Sequence, residues 1–172
     1  MSFGTGIQVS TAGAVSVYYN PTSNPPTGTP SVNGTSYTTG TDYSGNIAGG
    51  GSITGYMLVN NVYDLQNVRN NLSGAYALGR DIDASVTSTW NSGAGFLPIG
   101  NLTFSNYTIS GSYFGGIFDG QNQAISNLTI NRPSTSPVGL FSGNAGQIRN
   151  LGVIGGTITG YVYVGGLVGQ NY

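Results

Sequence analysis

Asp81 and Asp83 stand two apart in "GRDIDAS". On a strand, residues two apart project to the same face, so the two carboxylates point together. Arg80 adjoins them, and Asp119 in "FDGQ" is a third candidate. Paired carboxylates are the minimum equipment of a glycosidase, one group as acid and one as base or nucleophile. The same residues also fit a plainer role. The pair can face water with Arg80 as counter-charge, and Asp119-Gly120 has the composition of a turn. Two carboxylates fall short of the ~6–8 oxygens that calcium takes.

The rest of the chain supplies little to assist them. Its 172 residues carry five Asp, four Arg and no Lys, Glu, His or Cys, for a net charge of -1. Without His or Cys there is no ordinary zinc site and no imidazole or thiolate catalysis. Without Lys there is no Walker-type phosphate loop and no Schiff base. Four scattered Arg are too few to grip nucleic acid. No cofactor is expected. No apolar run is long enough for a membrane-spanning helix. "MSFGTGIQVS" has neither the basic nor the apolar region of a signal peptide. Disordered chains are poor in aromatic residues and high in net charge. This one holds 12 Tyr and 6 Phe at almost no net charge, and so reads as β-rich and folded.

Tyrosine is the other functional candidate. It buries a large area at low entropy cost and stacks on sugars or partner proteins. Tyr18 and Tyr19, Tyr37 and Tyr43, and Tyr161 and Tyr163 form near-neighbour groups that could contact a ligand. Against this stands the simple preference of Tyr for strands. Packing roles suit Tyr56, Tyr63 and Tyr76, and the choice for Tyr37 and Tyr43 stays open.

The elements that would position these side chains are mostly short strands bounded by Gly, Asn and Asp, such as "GGIFDG", "AISNLTIN" and "QIRNLGVIG". Residues 20–55, rich in Pro, Thr, Ser, Gly and Asn, read as a protruding loop or hairpin. Residues 61–73, "NVYDLQNVRNNLS", place Val62, Leu65, Val68 and Leu72 at helical spacing. Asn61 is the expected N-cap, Asp64 its capping-box partner and Gly74 the stop.

Residues 75–172 carry a repeat. "GQNQAISNLTI" from Gly120 and "GNAGQIRNLGV" from Gly143 match at Ile125 with Ile148, Asn127 with Asn150 and Leu128 with Leu151. "GLFSGN" at Gly139 echoes "GLVGQN" at Gly166. Steps in the twenties fit one coil of a β-solenoid. Ile125, Leu128 and Ile130 all want the interior, so the alternation slips between Asn127 and Leu128. A strand does that only by bending, and Asn readily takes a left-handed backbone. Asn127 and Asn150 are therefore corners. Stacked ~4.8 Å apart, they would form a structural ladder of amides. Isolated Thr-x-Thr pairs do not repeat at the coil spacing, which disfavours an ice-binding face. Asn33, Asn71, Asn101, Asn106 and Asn127 begin sequons, of which Asn127 would be masked by the ladder.

The stretch from "YMLVNNVYDLQNVRNNLSGAYALGRDIDAS" through "FLPIG", "FDGQNQAISNLTI", "IRNLGV" and "YVGGLVGQN" resembles bacterial exoproteins of the filamentous haemagglutinin type that carry GLUG motifs. "GLVG" at 166–169 matches that motif, and "GLFS" at 139–142 departs from it at Ser142. The resemblance covers roughly residues 56 to 172. It implies a right-handed parallel β-helix, two-partner secretion through an outer-membrane transporter, and adhesion at the bacterial surface. It also implies that residues 1–172 are one β-helical fragment of a larger protein.

The expectation is thus an all-β fold, a right-handed parallel β-helix (β-solenoid) with one short helix and a long N-terminal loop. Its expected function is a non-catalytic rod presenting contact loops to a host-cell glycan or surface protein. The alternatives are a polysaccharide-acting enzyme and a pure spacer. At the end of the chain, Val164, Leu167 and Val168 should face the core while Gly165, Gly166 and Gly169 turn it. An open strand edge there would invite self-association.

Overall fold

The computed structural model describes residues 8–21 and 37–172. Strands dominate it. The first elements are β1 (Val9–Ser10), β2 (Ala14–Tyr19), β3 (Ile47–Ala48) and β4 (Ser52–Val59), followed by α1 (Val62–Asn67) and β5 (Ala75–Leu78). Next come β6 (Ile82–Asp83), the pair β7 (Thr103–Ser105) and β8 (Thr108–Ser110), and β9 (Ile117–Asp119). The chain then runs through β10 (Ala124–Ser126), β11 (Thr129–Asn131), β12 (Phe141–Asn144) and β13 (Gln147–Arg149). It closes with β14 (Gly152–Ile154), β15 (Thr157–Thr159) and β16 (Val168–Asn171). The expectation of an all-β chain holds.

Several parallel sheets form. The largest has the order β13-β9-β5-β4-β2, so each pass of the chain lays its strand beside the strand of the pass before. Smaller sheets pair β6, β10 and β14, then β11 with β15, and β12 with β16, all in parallel. Only β7 and β8 pair antiparallel among the named strands.

Parallel register sets like residue over like. Tyr19 lies opposite Met57, Met57 opposite Tyr76, Tyr76 opposite Phe118, and Phe118 opposite Ile148. All but Ile148 are buried, and Ile148 packs against the same core. A second column runs Ile82, Ile125, Val153. Phe118 also meets Phe141 edge-on, with ring centroids 5.5 Å apart. Side chains of this size stabilise by about 1.5–3 kcal/mol each when fully buried.

The corners are where the sequence slip placed them. Asn127 and Asn150 have φ of 58° and 52°, and Ile125, Leu128 and Ile130 are fully buried. The ladder between the two asparagines is not formed. Ile125 is opposite Val153 and Ile148 opposite Phe118, so the two matched segments belong to different sheets. What repeats over 23 residues is a corner, two inward apolar residues flanking a left-handed Asn, used at successive bends. Each Asn instead donates to a carboxylate of the preceding pass, Asn127 to Asp83 at 3.1 Å and Asn150 to Asp119 at 3.1 Å. The stacking step is the one in the other echo. Phe141 faces Val168 and Asn144 faces Asn171, whose side-chain amides bond at 2.9 Å. That pair is one amide rung of the molecule, and Asn60 Nδ2 donating to Asn20 Oδ1 at 2.8 Å is another.

Three further expectations are corrected. The helix is capped by Asn61, whose Oδ1 accepts from the Tyr63 and Asp64 amides at 2.9 Å each. It ends in a 3-10 turn at Asn70 rather than at Ser73, however, and Gly74 is not a left-handed stop. A side chain at Gly74 would strike the Tyr76 ring, so close packing explains that glycine. Residues 20–55 are not all loop. Those at 22–36 lie outside the described residues, but β3 and the start of β4 fall inside the range, and Tyr37 and Tyr43 are buried. Near the end, Leu167 and Val168 pack on the core, whereas Val164 is 45% exposed and Gly169 lies inside β16. The left-handed residue there is Tyr163, at φ 52°.

Phe118→Ala should destabilise the fold by about 3–5 kcal/mol, read from urea unfolding. At the corner, Asn150→Ala should cost about 1–2 kcal/mol more than Asn150→Gly, because only the latter accepts the left-handed backbone freely. Equal losses for the two corner variants would refute that account.

Candidate functional site

The sequence "TFSNYTIS" builds the one antiparallel pair of named strands. Thr103, Phe104 and Ser105 face Ser110, Ile109 and Thr108 across a two-residue turn. Asn106 and Tyr107 make that turn with φ of 49° and 61°. Two left-handed residues match the twist of a tight hairpin, and the Asn is suited to it. The turn holds Tyr107 in solvent at 97% exposure. Phe104 meets Tyr107 edge-on at 6.5 Å and Tyr163 edge-on at 5.4 Å. Tyr161, two residues before Tyr163, is also exposed. A second exposed pair, Tyr113 and Tyr172, packs at 5.3 Å.

The exposed aromatic residues include the expected Tyr161 and Tyr163. Phe104, Tyr107, Tyr113 and Tyr172 were missed. The symmetric pattern Thr-Phe-Ser, Asn-Tyr, Thr-Ile-Ser was the available signal for a hairpin. Tyr18 is 38% exposed, stacked on Tyr56 at 5.3 Å, with its hydroxyl accepting from Gln121 Nε2 at 3.2 Å.

Tyr19, Tyr37 and Tyr43 are not contact residues, because all three are buried. The Tyr19 hydroxyl accepts from the Thr41 amide at 2.6 Å, and its ring meets Tyr43 edge-on. The Tyr37 hydroxyl donates to the Leu58 carbonyl at 2.6 Å while its ring meets Tyr76. These residues are part of the core of the N-terminal passes. Burial pushes the Tyr43 hydroxyl above its ordinary value, with the nearby Tyr19 adding to the shift.

The carboxylates are engaged in holding the chain. Asp81 Oδ1 accepts from the Ala124 amide at 2.7 Å. Asp83 accepts from the Ser85 amide and hydroxyl and from Asn127. Asp119 is buried and accepts from the Gln121 amide, from Asn150, and from Arg149 Nε at 2.8 Å. Arg149 extends this network to Gln147 and to the Tyr56 hydroxyl. Asp83 and Asp119 thus do one job twice. Each caps its own turn two residues on and anchors the corner Asn of the next pass. Arg80 makes no ion pair with Asp81 or Asp83. Among the described residues no group of three or more metal-ligating side chains comes together.

Burial acts to raise the Asp119 carboxyl, but its hydrogen bonds from Gln121, Arg149 and Asn150 outweigh this and hold it below 3.8. Asp83 is lowered too, by Asn127 first and then by Ser85. A carboxyl depressed on folding contributes stability above its unfolded value and loses it as pH falls through the folded one. The urea midpoint should therefore drop as pH is lowered below about 4, and Asp119→Asn should flatten that drop. An unchanged acid slope in the variant would exclude this assignment.

No helix among the described residues is long and apolar enough to cross a membrane. No family model matches the chain, and no solved structure does. The chain is similar to halomucin of Haloquadratum walsbyi (strain DSM 16790 / HBSQ001), 35% identical over an alignment of 147 residues that covers 81% of this chain. It spans only 2% of the length of that protein.

Proposed function

We propose that this chain is a segment of a secreted surface protein, a non-catalytic rod that presents aromatic contact residues to other cells. Its parallel sheets are the faces of a right-handed parallel β-helix, as in the haemagglutinin-type adhesins it resembles. Export through an outer-membrane transporter belongs to the same reading. The observation that carries it is the exposed aromatic surface around Phe104, Tyr107 and Tyr163, held by a hairpin that stands apart from the parallel sheets. Aromatic residues on a rigid support keep contact area in water at little entropic cost. Likeness to a protein named as a mucin supports a place outside the cell. The carboxylates support the absence of catalysis, since all five accept hydrogen bonds that fix turns, strands or the helix start.

A glycan array and a cell-adhesion assay on the purified chain test the reading. Binding is expected, and Tyr107→Ser combined with Tyr163→Ser should weaken it about tenfold or more. A folded chain that binds neither glycan nor cell would favour the spacer. Turnover of a polysaccharide, lost in Asp81→Asn or Asp119→Asn, would overturn the non-catalytic reading.

A further inference from the structure

The chain has four arginines, and two of them converge on one cavity without a counter-ion. Arg69 lies in the 3-10 turn Val68–Asn70 that follows α1. Arg132 directly follows β11. Both line a cavity of about 190 Å³, whose other walls include Pro98, Leu102, Thr135 and Pro137. Arg69 also lines a neighbouring hollow of about 350 Å³ with Asn101 and Ser112.

Neither guanidinium is satisfied. Arg69 Nε and Arg132 Nη2 are shielded from solvent and have no hydrogen-bond partner. Arg132 makes one bond, from Nε to the Phe96 carbonyl at 3.4 Å, and that bond is long. No carboxylate is at hand. All five Asp are engaged elsewhere, and the one ion pair among the described residues is Arg149 with Asp119. Burial pushes both groups below their ordinary value, and for Arg69 the charge of Arg132 adds to this. Both remain cationic at neutral pH.

An isolated chain gains nothing from this arrangement. Shielded donors without acceptors are costly, and two like charges in one cavity oppose folding. A carboxylate or other oxyanion between them removes both penalties. The planar fork of a guanidinium matches the paired oxygens of such a group. We infer that the cavity between Arg69 and Arg132 is a binding site for an oxyanion, either a free dianion such as sulfate or phosphate or the carboxylate of an acidic sugar. Pro98, Leu102 and Pro137 give the cavity apolar walls, and Thr135 adds a hydroxyl. This site does not depend on the aromatic surface or on an adhesive role.

The test titrates the intact chain with sodium sulfate, sodium phosphate and sodium glucuronate against sodium chloride at matched ionic strength. Calorimetry and thermal melting supply the readouts. One saturable site is expected for at least one of the three anions. Saturation by sulfate or phosphate identifies a free dianion, and saturation by glucuronate identifies a sugar acid. Arg69→Gln and Arg132→Gln should each weaken binding tenfold or more, whereas Arg80→Gln, which is exposed and does not line the cavity, should leave it unchanged. Without ligand, the melting temperature of the two cavity variants should not fall, because each removes a partly buried charge that faces a like charge. Should a variant fail to fold, the Nε–Hε resonances of Arg69 and Arg132 in the unaltered chain give a second measurement and should shift on titration. The inference is overturned if no anion saturates beyond chloride, if both variants bind as the unaltered chain does, or if neither resonance moves.

Discussion

Parallel hydrogen bonding between successive passes is the constraint from which the rest follows. Adjacent strands lie ~4.8 Å apart and in register, so every inward position stacks on its counterpart. The apolar columns from Tyr19 to Ile148 and from Ile82 to Val153 are the direct result. The same rule forces each corner to be compatible with the one below it. A corner needs a residue that accepts a left-handed backbone, and Asn supplies one together with a side chain that reaches down the stack. Asn127 and Asn150 use that reach on Asp83 and Asp119, while Asn144, inside a strand, bonds the Asn171 stacked on it.

Scarcity of charge makes the role of most ionic groups visible. Asp83 and Asp119 each tie a turn to the next pass. Arg149 spans three elements by joining Asp119, Gln147 and Tyr56. Arg69 and Arg132 differ, since each keeps a guanidinium nitrogen that is shielded from solvent and has no hydrogen-bond partner among the described residues. The stabilising network and the proposed ligand site are thus separable by one criterion, whether the charge is answered from within.

What the sequence showed depended on how local the cause was. The bend at Asn127 was legible because two adjacent residues, Asn127 and Leu128, break a period of two. The cap at Asn61 was legible for the same reason, since its partners are two and three residues away. Stacking partners were not, because Ile125 resembles Ile148 more than it resembles Val153, its true neighbour. A corner motif and a coil step produce the same kind of echo. Burial of Tyr37 and Tyr43 was hidden by the polar residues around them, whose composition says loop while the rings themselves find Tyr76 and Tyr19. The hydroxyl of Tyr37 reaches a carbonyl 21 positions away, beyond any local pattern. The arginine cavity joins residues 69 and 132 through three separate segments, and no spacing announces it.

The strands of the largest sheet are evenly stacked, yet the chain between them is not evenly long. Met57 meets Tyr76 after a short return, whereas Ala75 meets Ile117 only after the chain has built β6, a 3-10 segment and the β7–β8 hairpin. The sheet therefore registers strands across segments of very different length, part of which (Ile82, Phe96, Ile99) packs into the core while the hairpin stands outside it. Such a scaffold separates two rates of evolutionary change. Inward columns are held to size and polarity by their neighbours, while an excursion such as the hairpin is free to lengthen, shorten or be exchanged without shifting a single stacked residue. Diversification of the surface carries no penalty in the interior, and a lineage can alter what the protein touches while keeping what it is built on.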